Sequence, residues 1–435
     1  MVKAIIHPVN SLKGEVEAPP SKSHTHRILV AGLLSENTIK IYNPLIAGDV
    51  NATINCCRSF RAELKIKNKL IEVNPPDKLQ APAEILDAEN SGTTIRFMMS
   101  IAAMAKGTTR LTGSLQLKKR PMGDLVNALN NLGARCQYLE REGYPPISVT
   151  GSDRLGGETS ISGEISSQFI SSLLLALPRS KVNSIIHIKP PVKSKPYIKM
   201  TLELLSKSGI TIKASKNFKE FIIPGNQHYK ISEYTVPSDW SSTAFILAAG
   251  AITNSTITVS NLDFNSTSAD KKIIEDLKKM GVKIEVDVER KILKVDGAKL
   301  KGARIHCGNS PDLIPVLAVV AAYAKGTTII YGAEHVRYKE SNRLSTISEE
   351  LTKMGVKIKE NQTGLTIKGS GVLNSASNLD SHGDHRIFMA LCIAALKTGA
   401  PCTINGLETY SDSYPSFIKD LKKIGVRVEE ESNAG

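Results

Sequence analysis

The sequence predicts an α/β protein in two halves, each assembled from three copies of one β-α-β-α-β-β unit. Three observations carry this expectation. An amphipathic helix, a glycine and two short strands recur every 70–76 residues along the 435-residue chain. In phase with them recurs a polar loop that runs straight into an apolar helix. The halves also match each other at a spacing of 219 residues, from Gly107 in KGTTRLTG to Gly326 in KGTTIIYG.

The elements follow in order. MVKAIIHPVNSLKGEVEAPP has a charge and prolines where a secretion signal needs an unbroken apolar core. Residues 1–18 read as an extra strand that pairs with the second half. SKSHTHRILVAGLL is the first apolar helix, and CCRSFRAELKI ends the first amphipathic one, with Arg61 where later copies have glycine. NSGTTIRFMMSIAAMA, then LVNALNNLGARCQYL with Gly133, form the second copy; SSQFISSLLLAL and LELLSKSGITIKA with Gly209 form the third. A break near residues 235–237 makes a hinge. Beyond it SDWSSTAFILAAGA, SPDLIPVLAVVAA and GDHRIFMALCIAAL alternate with the helices that end at Gly281, Gly355 and Gly425. The expected lobes are 19–235, and 1–18 together with 236–435.

Each part has a physical cause. Leucine and isoleucine spaced three and four apart, with lysine and glutamate between, leave one stripe to bury. Glycine after the last turn takes the left-handed conformation that closes a helix. VKIEV and VKIKE alternate with the period of a strand. The other six helices are apolar nearly all round, so they belong inside, with sheets and amphipathic helices outside.

Composition narrows the function. Hydrophobic residues make up 41% and charged residues 23%, which excludes a largely disordered chain. The longest apolar stretches, such as 313–324, are too short to span a bilayer. Six cysteines without a CxxC pair fit buried thiols in a reducing compartment, so a cytoplasmic address is expected. The net charge of +14 calls for anionic partners. Aromatics are only 5% and the lysines form no block, which favours small anions over nucleic acid. GxSxG, GxxxxGK[ST] and GxGxxG are absent, and no histidine spacing matches a zinc site.

Six polar loops at six helix starts are the main functional signal, because exposed N–H groups and the helix dipole attract anions. The loops hold Lys22, Ser23 and Arg27; Asn90, Ser91, Gly92, Thr93 and Arg96; Ser166, Ser167 and Gln168; Asp312; and Asp384, His385 and Arg386. Arg120 in LKKRPM and Lys339, Glu340 and Arg343 in KESNR lie just beyond them. Asp312 is the carboxylate best placed to act as a base, and Glu340 beside Lys339 can serve as an acid together with Lys22. Singly, each residue also has an ordinary reading as a helix cap or surface charge.

PPSKSHTHR, NSGTTIR, KRPM, SSQF, KSKPYI, SDWSS, PDLIPVLAVVAAYAKGTT, RYKESNRL, GDHRIFMA and SYPSF occur in an order that resembles the 5-enolpyruvylshikimate-3-phosphate synthase family. The resemblance runs from residue 19 to residue 418. It implies a two-lobed inside-out α/β barrel, and an enzyme whose substrates are shikimate 3-phosphate and phosphoenolpyruvate. It implies the sixth step of the shikimate pathway, glyphosate as a mimic of the donor, no metal or other cofactor, and a monomer. By the same resemblance Ser23, Arg27, Ser166, Ser167, Gln168, Ser194, Tyr197, Asp312 and Lys339 fall where the family holds shikimate 3-phosphate, with Lys22 beside them. Lys22, Gly92, Arg120, Gln168, Arg343 and Arg386 fall where it holds phosphoenolpyruvate. Lys22, Asp312 and Glu340 are the proton-transfer candidates. The chain departs from the family's pattern at His335, where many members have asparagine, and at Asp412, where many have lysine. UDP-N-acetylglucosamine enolpyruvyl transferases resemble a different pattern, with a cysteine in the loop that here reads LQLKKRPM.

Overall fold

A computed structural model describes residues 2–297 and 299–432. The chain forms two units, Pro20–Val236 and a second of Met1–Pro19 with Pro237–Gly435, and each has its own core. The α-helices among the described residues are α1 (Lys22–Leu34), α2 (Gly48–Ser59), α3 (Gly92–Ala102), α4 (Gly123–Asn131), α5 (Ser167–Ala176), α6 (Lys195–Lys207), α7 (Trp240–Ile252), α8 (Ile273–Lys279), α9 (Ile314–Tyr323), α10 (Arg343–Lys353), α11 (His385–Ala394) and α12 (Phe417–Lys423).

Odd and even helices differ as their sequences require. In α7, α9 and α11 every residue is buried, and in α1 all are from His24 onward. The even helices bury one stripe: Leu125, Val126, Ala128 and Leu129 in α4, and Phe417, Ile418 and Leu421 in α12. Helices α1, α3 and α5 pack on one another in the 20–236 unit, and α7, α9 and α11 do so in the other. Each large aliphatic side chain buried in this way contributes roughly 1.5–3 kcal/mol. No helix among the described residues is long and apolar enough to cross a membrane.

Six four-stranded sheets surround these helices, three per unit, and all share one pattern. An edge strand runs parallel to its neighbour and two antiparallel strands follow. In the second copy, 86–87 pairs in parallel with 108–112, which pairs with 147–150, which pairs with 135–138. Residues 1–18 differ from expectation. They form two strands in two different sheets. Val2–Ile6 lies between 402–405 and 428–432, and Lys13–Glu17 runs parallel to 256–260. The last copy ends with only one strand after α12, so the N-terminal strand fills the missing place. The strand 233–235 does the same for the first copy, pairing with 39–42.

The closing glycines have the geometry their role demands. Gly133, Gly209, Gly281, Gly355 and Gly425 all have φ between 78° and 105°, and Arg61 has φ 71° at the equivalent place. An L-residue pays roughly 1–2 kcal/mol for that conformation. A Cβ on Gly281 would also lie 3.2 Å from the Lys299 carbonyl oxygen. Gly281→Ala should therefore lower the unfolding free energy by about 1–2 kcal/mol. Arg61→Gly should raise it by up to about 1 kcal/mol, once glycine's greater freedom in the unfolded chain is deducted. Denaturant unfolding of both variants checks this; a less stable Arg61→Gly protein would show that the arginine's contacts outweigh its strain.

Candidate active site

The helix starts of the two units carry different chemistry. In residues 20–236 each central helix begins at a serine. Ser21 accepts from the His24 N–H, Ser91 from Thr94 and Ser166 from Gln168. In the other unit two of the three begin at a capping carboxylate. Asp239 accepts from Ser242 and Asp384 from Arg386, while Asp312 lies in the 3₁₀ turn Pro311–Leu313 that leads into α9. At α7 and α11 the first-turn N–H groups already face a fixed negative charge. At the serine starts a hydroxyl caps without adding charge.

Cations gather at those serine starts. Arg27 is 2% exposed. It donates from Nε to Thr201 Oγ1 at 2.8 Å, from Nη1 to the Ser23 carbonyl at 2.9 Å, and from Nη2 to the Tyr197 carbonyl at 3.3 Å. Burial pulls its pKa down to about 10, against the pull of Tyr197 and Tyr234, so it is a cation at neutral pH. Ser194 precedes α6 in a left-handed conformation, φ 52°, and its carbonyl accepts from the Tyr197 N–H. Lys22 Nζ meets Asp49 Oδ2 at 2.8 Å.

A second group surrounds Gly92. A Cβ there would lie 2.7 Å from Arg120 Nη1 and 3.2 Å from Arg96 Nη1, so the guanidinium ends would have to shift to admit one. Two buried guanidinium groups thus converge on the first residue of α3, at the positive end of its dipole. Arg96 also donates to Gln168 Oε1 at 2.6 Å and lies over the Phe169 ring, while Gln168 Nε2 donates to Thr93 Oγ1 at 2.9 Å. Ser167 is buried in the first turn of α5.

In the other unit, Arg343 is the centre. It is 1% exposed and donates to Asp312 Oδ1 at 2.7 Å, Glu340 Oε2 at 2.7 Å, and Asp384 Oδ2 and Oδ1 at 2.8 and 3.2 Å. Burial alone would lower its pKa, but Asp384, Glu340 and Asp312 raise it well above the usual value. Arg386 Nη2 lies 3.5 Å from the other oxygen of Asp312. Burial by itself would raise the Asp312 pKa; Arg386, Lys339 and Arg343 outweigh it and hold the carboxyl well below the usual range. His335 is buried in the turn Glu334–Tyr338 ahead of Lys339, and Asp412 is half-buried at the end of the turn Leu407–Asp412.

The two histidines of the first helix face hydroxyl groups. His24 Nδ1 faces Ser21 Oγ and His26 Nδ1 faces Thr53 Oγ1. Burial, with Arg27 and Lys207, pushes His24 down to about 3. Among the described residues one cluster has metal-ligand spacing, Glu349, Glu350 and His382. Glu350 there already accepts from Lys353, His382 and the Asp380 N–H.

Comparison with known proteins bears on this geometry. The family model described as EPSP synthase (3-phosphoshikimate 1-carboxyvinyltransferase) matches residues 6–421. The chain belongs to the EPSP synthase family. A protein of Methanocella arvoryzae named 3-phosphoshikimate 1-carboxyvinyltransferase is 47% identical over 417 residues, covering 96% of this chain and 97% of that one. One of the same name from Methanosarcina mazei is 45% identical over 427 residues, with 97% of each chain covered. The solved EPSP synthase of Acinetobacter baumannii superposes with a TM-score of 0.81 at 28% identity, covering 99% of this chain and 100% of that one. The two-lobed inside-out α/β fold of the family is the fold described above.

Asp49, Thr201 and Asp270 carry contacts that the sequence did not single out. Asp270 is fully buried and accepts from the Ser241 hydroxyl in the first turn of α7. Burial and the Asp312 charge push its pKa up to about 7, against the Ser241 hydrogen bond and Arg386. Nothing in the segments IAGDVN or SAD separates such a residue from a common first-turn acid. The folded chain thus holds a proton on Asp270 that the unfolded chain releases near 3.8. This contribution is fully present below pH 3.8 and is lost as pH rises to about 7. Between those limits it lowers the unfolding free energy by at most about 1.4 kcal/mol per pH unit. Asp270→Asn should remove the slope. Equal pH dependence of unfolding in parent and variant would contradict it.

Proposed function

We propose that cations at the helix starts hold the anions of the family's reaction while Asp312, Glu340 and Lys22 move its protons. The chain transfers the enolpyruvyl group of phosphoenolpyruvate to the 5-hydroxyl of shikimate 3-phosphate and releases phosphate, through a tetrahedral intermediate. This is the shikimate-pathway step toward chorismate and the aromatic amino acids.

Shikimate 3-phosphate is held mainly by the 20–236 unit: Lys22, Ser23, Arg27, Ser166, Ser167, Gln168, Ser194 and Tyr197, with Asp312 and Lys339 from the other unit. Phosphoenolpyruvate takes Lys22, Gly92, Arg120, Gln168, Arg343 and Arg386. The observation that carries this division is the convergence of Arg96 and Arg120 on Gly92. Two like charges at the positive end of a helix repel each other, and a phosphate or carboxylate placed between them turns that repulsion into attraction. Asp312 accepts the proton of the attacking hydroxyl while C3 of the donor is protonated from Glu340 or Lys22. Glu340 then takes a proton back from C3 as the bond from C2 to phosphate breaks. No step in this scheme draws on a metal or another cofactor. The same reading has the chain working as a monomer in the cytoplasm on small anions rather than nucleic acid; six buried, free cysteines are in keeping with a reducing compartment.

Phosphate should appear only when both substrates are present, and EDTA should not abolish its release. Release without shikimate 3-phosphate would overturn the reaction assigned. Asp312→Ala and Lys22→Ala should each lower turnover by at least roughly a hundredfold. Arg27→Ala should instead weaken shikimate 3-phosphate by roughly 10- to 100-fold, the worth of a lost charged hydrogen bond. Steady-state kinetics with each substrate varied separate these effects.

A further inference from the structure

Arg343 has five N–H groups, and four are already donated to carboxylates. Nη2 has both of its hydrogens committed, one to Glu340 and one to Asp384. A phosphate or carboxylate gripped by two nitrogens of Arg343 must therefore displace a carboxylate. Asp384 is not the one to move. Its side chain has no exposed surface, it takes a two-pronged grip on Arg343, it caps α11 through the Arg386 N–H, and it accepts from the Ser341 hydroxyl at 3.0 Å. The Glu340 side chain keeps 14% of its surface exposed and shares one bond with Arg343. Asp312 is held from two sides, by Arg343 and Arg386.

We propose that Glu340 and the donor anion compete for Arg343, so that donor binding evicts the Glu340 carboxylate and frees it to carry a proton. This rests on the reading that Arg343 binds phosphoenolpyruvate. It assigns Glu340 a second role, as an internal anion that occupies the donor's place until the donor arrives. Eviction removes the Arg343 cation from Glu340, which favours its protonated form. The proton comes from solvent, passes to C3 as the 5-hydroxyl proton passes to Asp312, and returns to Glu340 when phosphate leaves. The acid is thereby armed by the substrate it protonates.

The test is direct binding of phosphoenolpyruvate alone, which does not react without the acceptor, to the full chain and to Glu340→Gln, Glu340→Ala and Arg343→Ala. Both Glu340 variants should bind the donor about three- to tenfold more tightly, because an amide or a methyl competes less than a carboxylate. Their turnover should fall by at least roughly a hundredfold. Arg343→Ala should bind it more weakly than the parent. Unchanged or weaker donor binding in Glu340→Gln overturns the proposal, and so does unchanged binding in Arg343→Ala. In the unmodified chain, the carboxyl ¹³C signal assigned to Glu340 should titrate at higher pH when the donor is added; no shift overturns the proposal even if the variants fail to fold. Because binding is read without turnover, failure of the assigned reaction would show separately, as absent phosphate release with tighter binding intact.

Discussion

A helix that is apolar on every side can meet polar chemistry only at its ends. Six such helices form the two cores, and this constraint decides where everything else can be. Along α7, α9 and α11 a charged side chain would be buried away from water, and Asp239, Asp384, His385 and Arg386 stand at the helix starts instead. The sheets and the even-numbered helices serve to keep those cores dry. The same geometry repeated six times yields six equivalent starting points, and evolution of function reduces to what is placed there.

The contrast between serine and aspartate starts follows from that logic. A serine cap satisfies an N–H group and leaves the helix end positive, so Arg27, Arg96 and Arg120 add to a field that already favours an anion. An aspartate cap neutralises the helix end, and arginines brought to it become partners of fixed carboxylates. Arg343 and Asp312 each sit among opposite charges, and their protonation is set by those neighbours more than by burial. One fold repeated with different helix caps thus surrounds its arginines with hydroxyls in one unit and with carboxylates in the other.

Much of this was legible in the sequence, because periodicity and helix ends are local. The closing glycines at Gly133, Gly209, Gly281, Gly355 and Gly425 could be read from spacing, and even Arg61 keeps the left-handed conformation of the glycines it replaces. The loop residues were legible because polar residues before an apolar helix are conspicuous. What was not legible is pairing. Thr201 supports Arg27 from 174 residues away, and Asp49 meets Lys22 across a turn of chain that looks like any acidic helix start. Arg96 stood in the same loop as Gly92, but only side-chain geometry shows that it orients Gln168. The two strands in residues 1–18 read as one because the sequence cannot say that the last repeat lacks a strand of its own.

That borrowed strand has a bearing on how the chain comes to be folded. Residues 20–236 form a continuous run, and their core can close while the rest of the chain is still being synthesised. Val2–Ile6 is made before the strands it pairs with and must wait for them. Its neighbours are residues 402–405 and 428–432, and His7 meets Glu429 across 422 residues of sequence. So large a separation makes this sheet a late and slow element to assemble. Until it does, the strands at 402–405 and 428–432 present open edges with unsatisfied backbone groups, the kind of surface on which chains join one another. The repeat that builds the barrels so economically leaves its seam at the one place where birth order and spatial order disagree most.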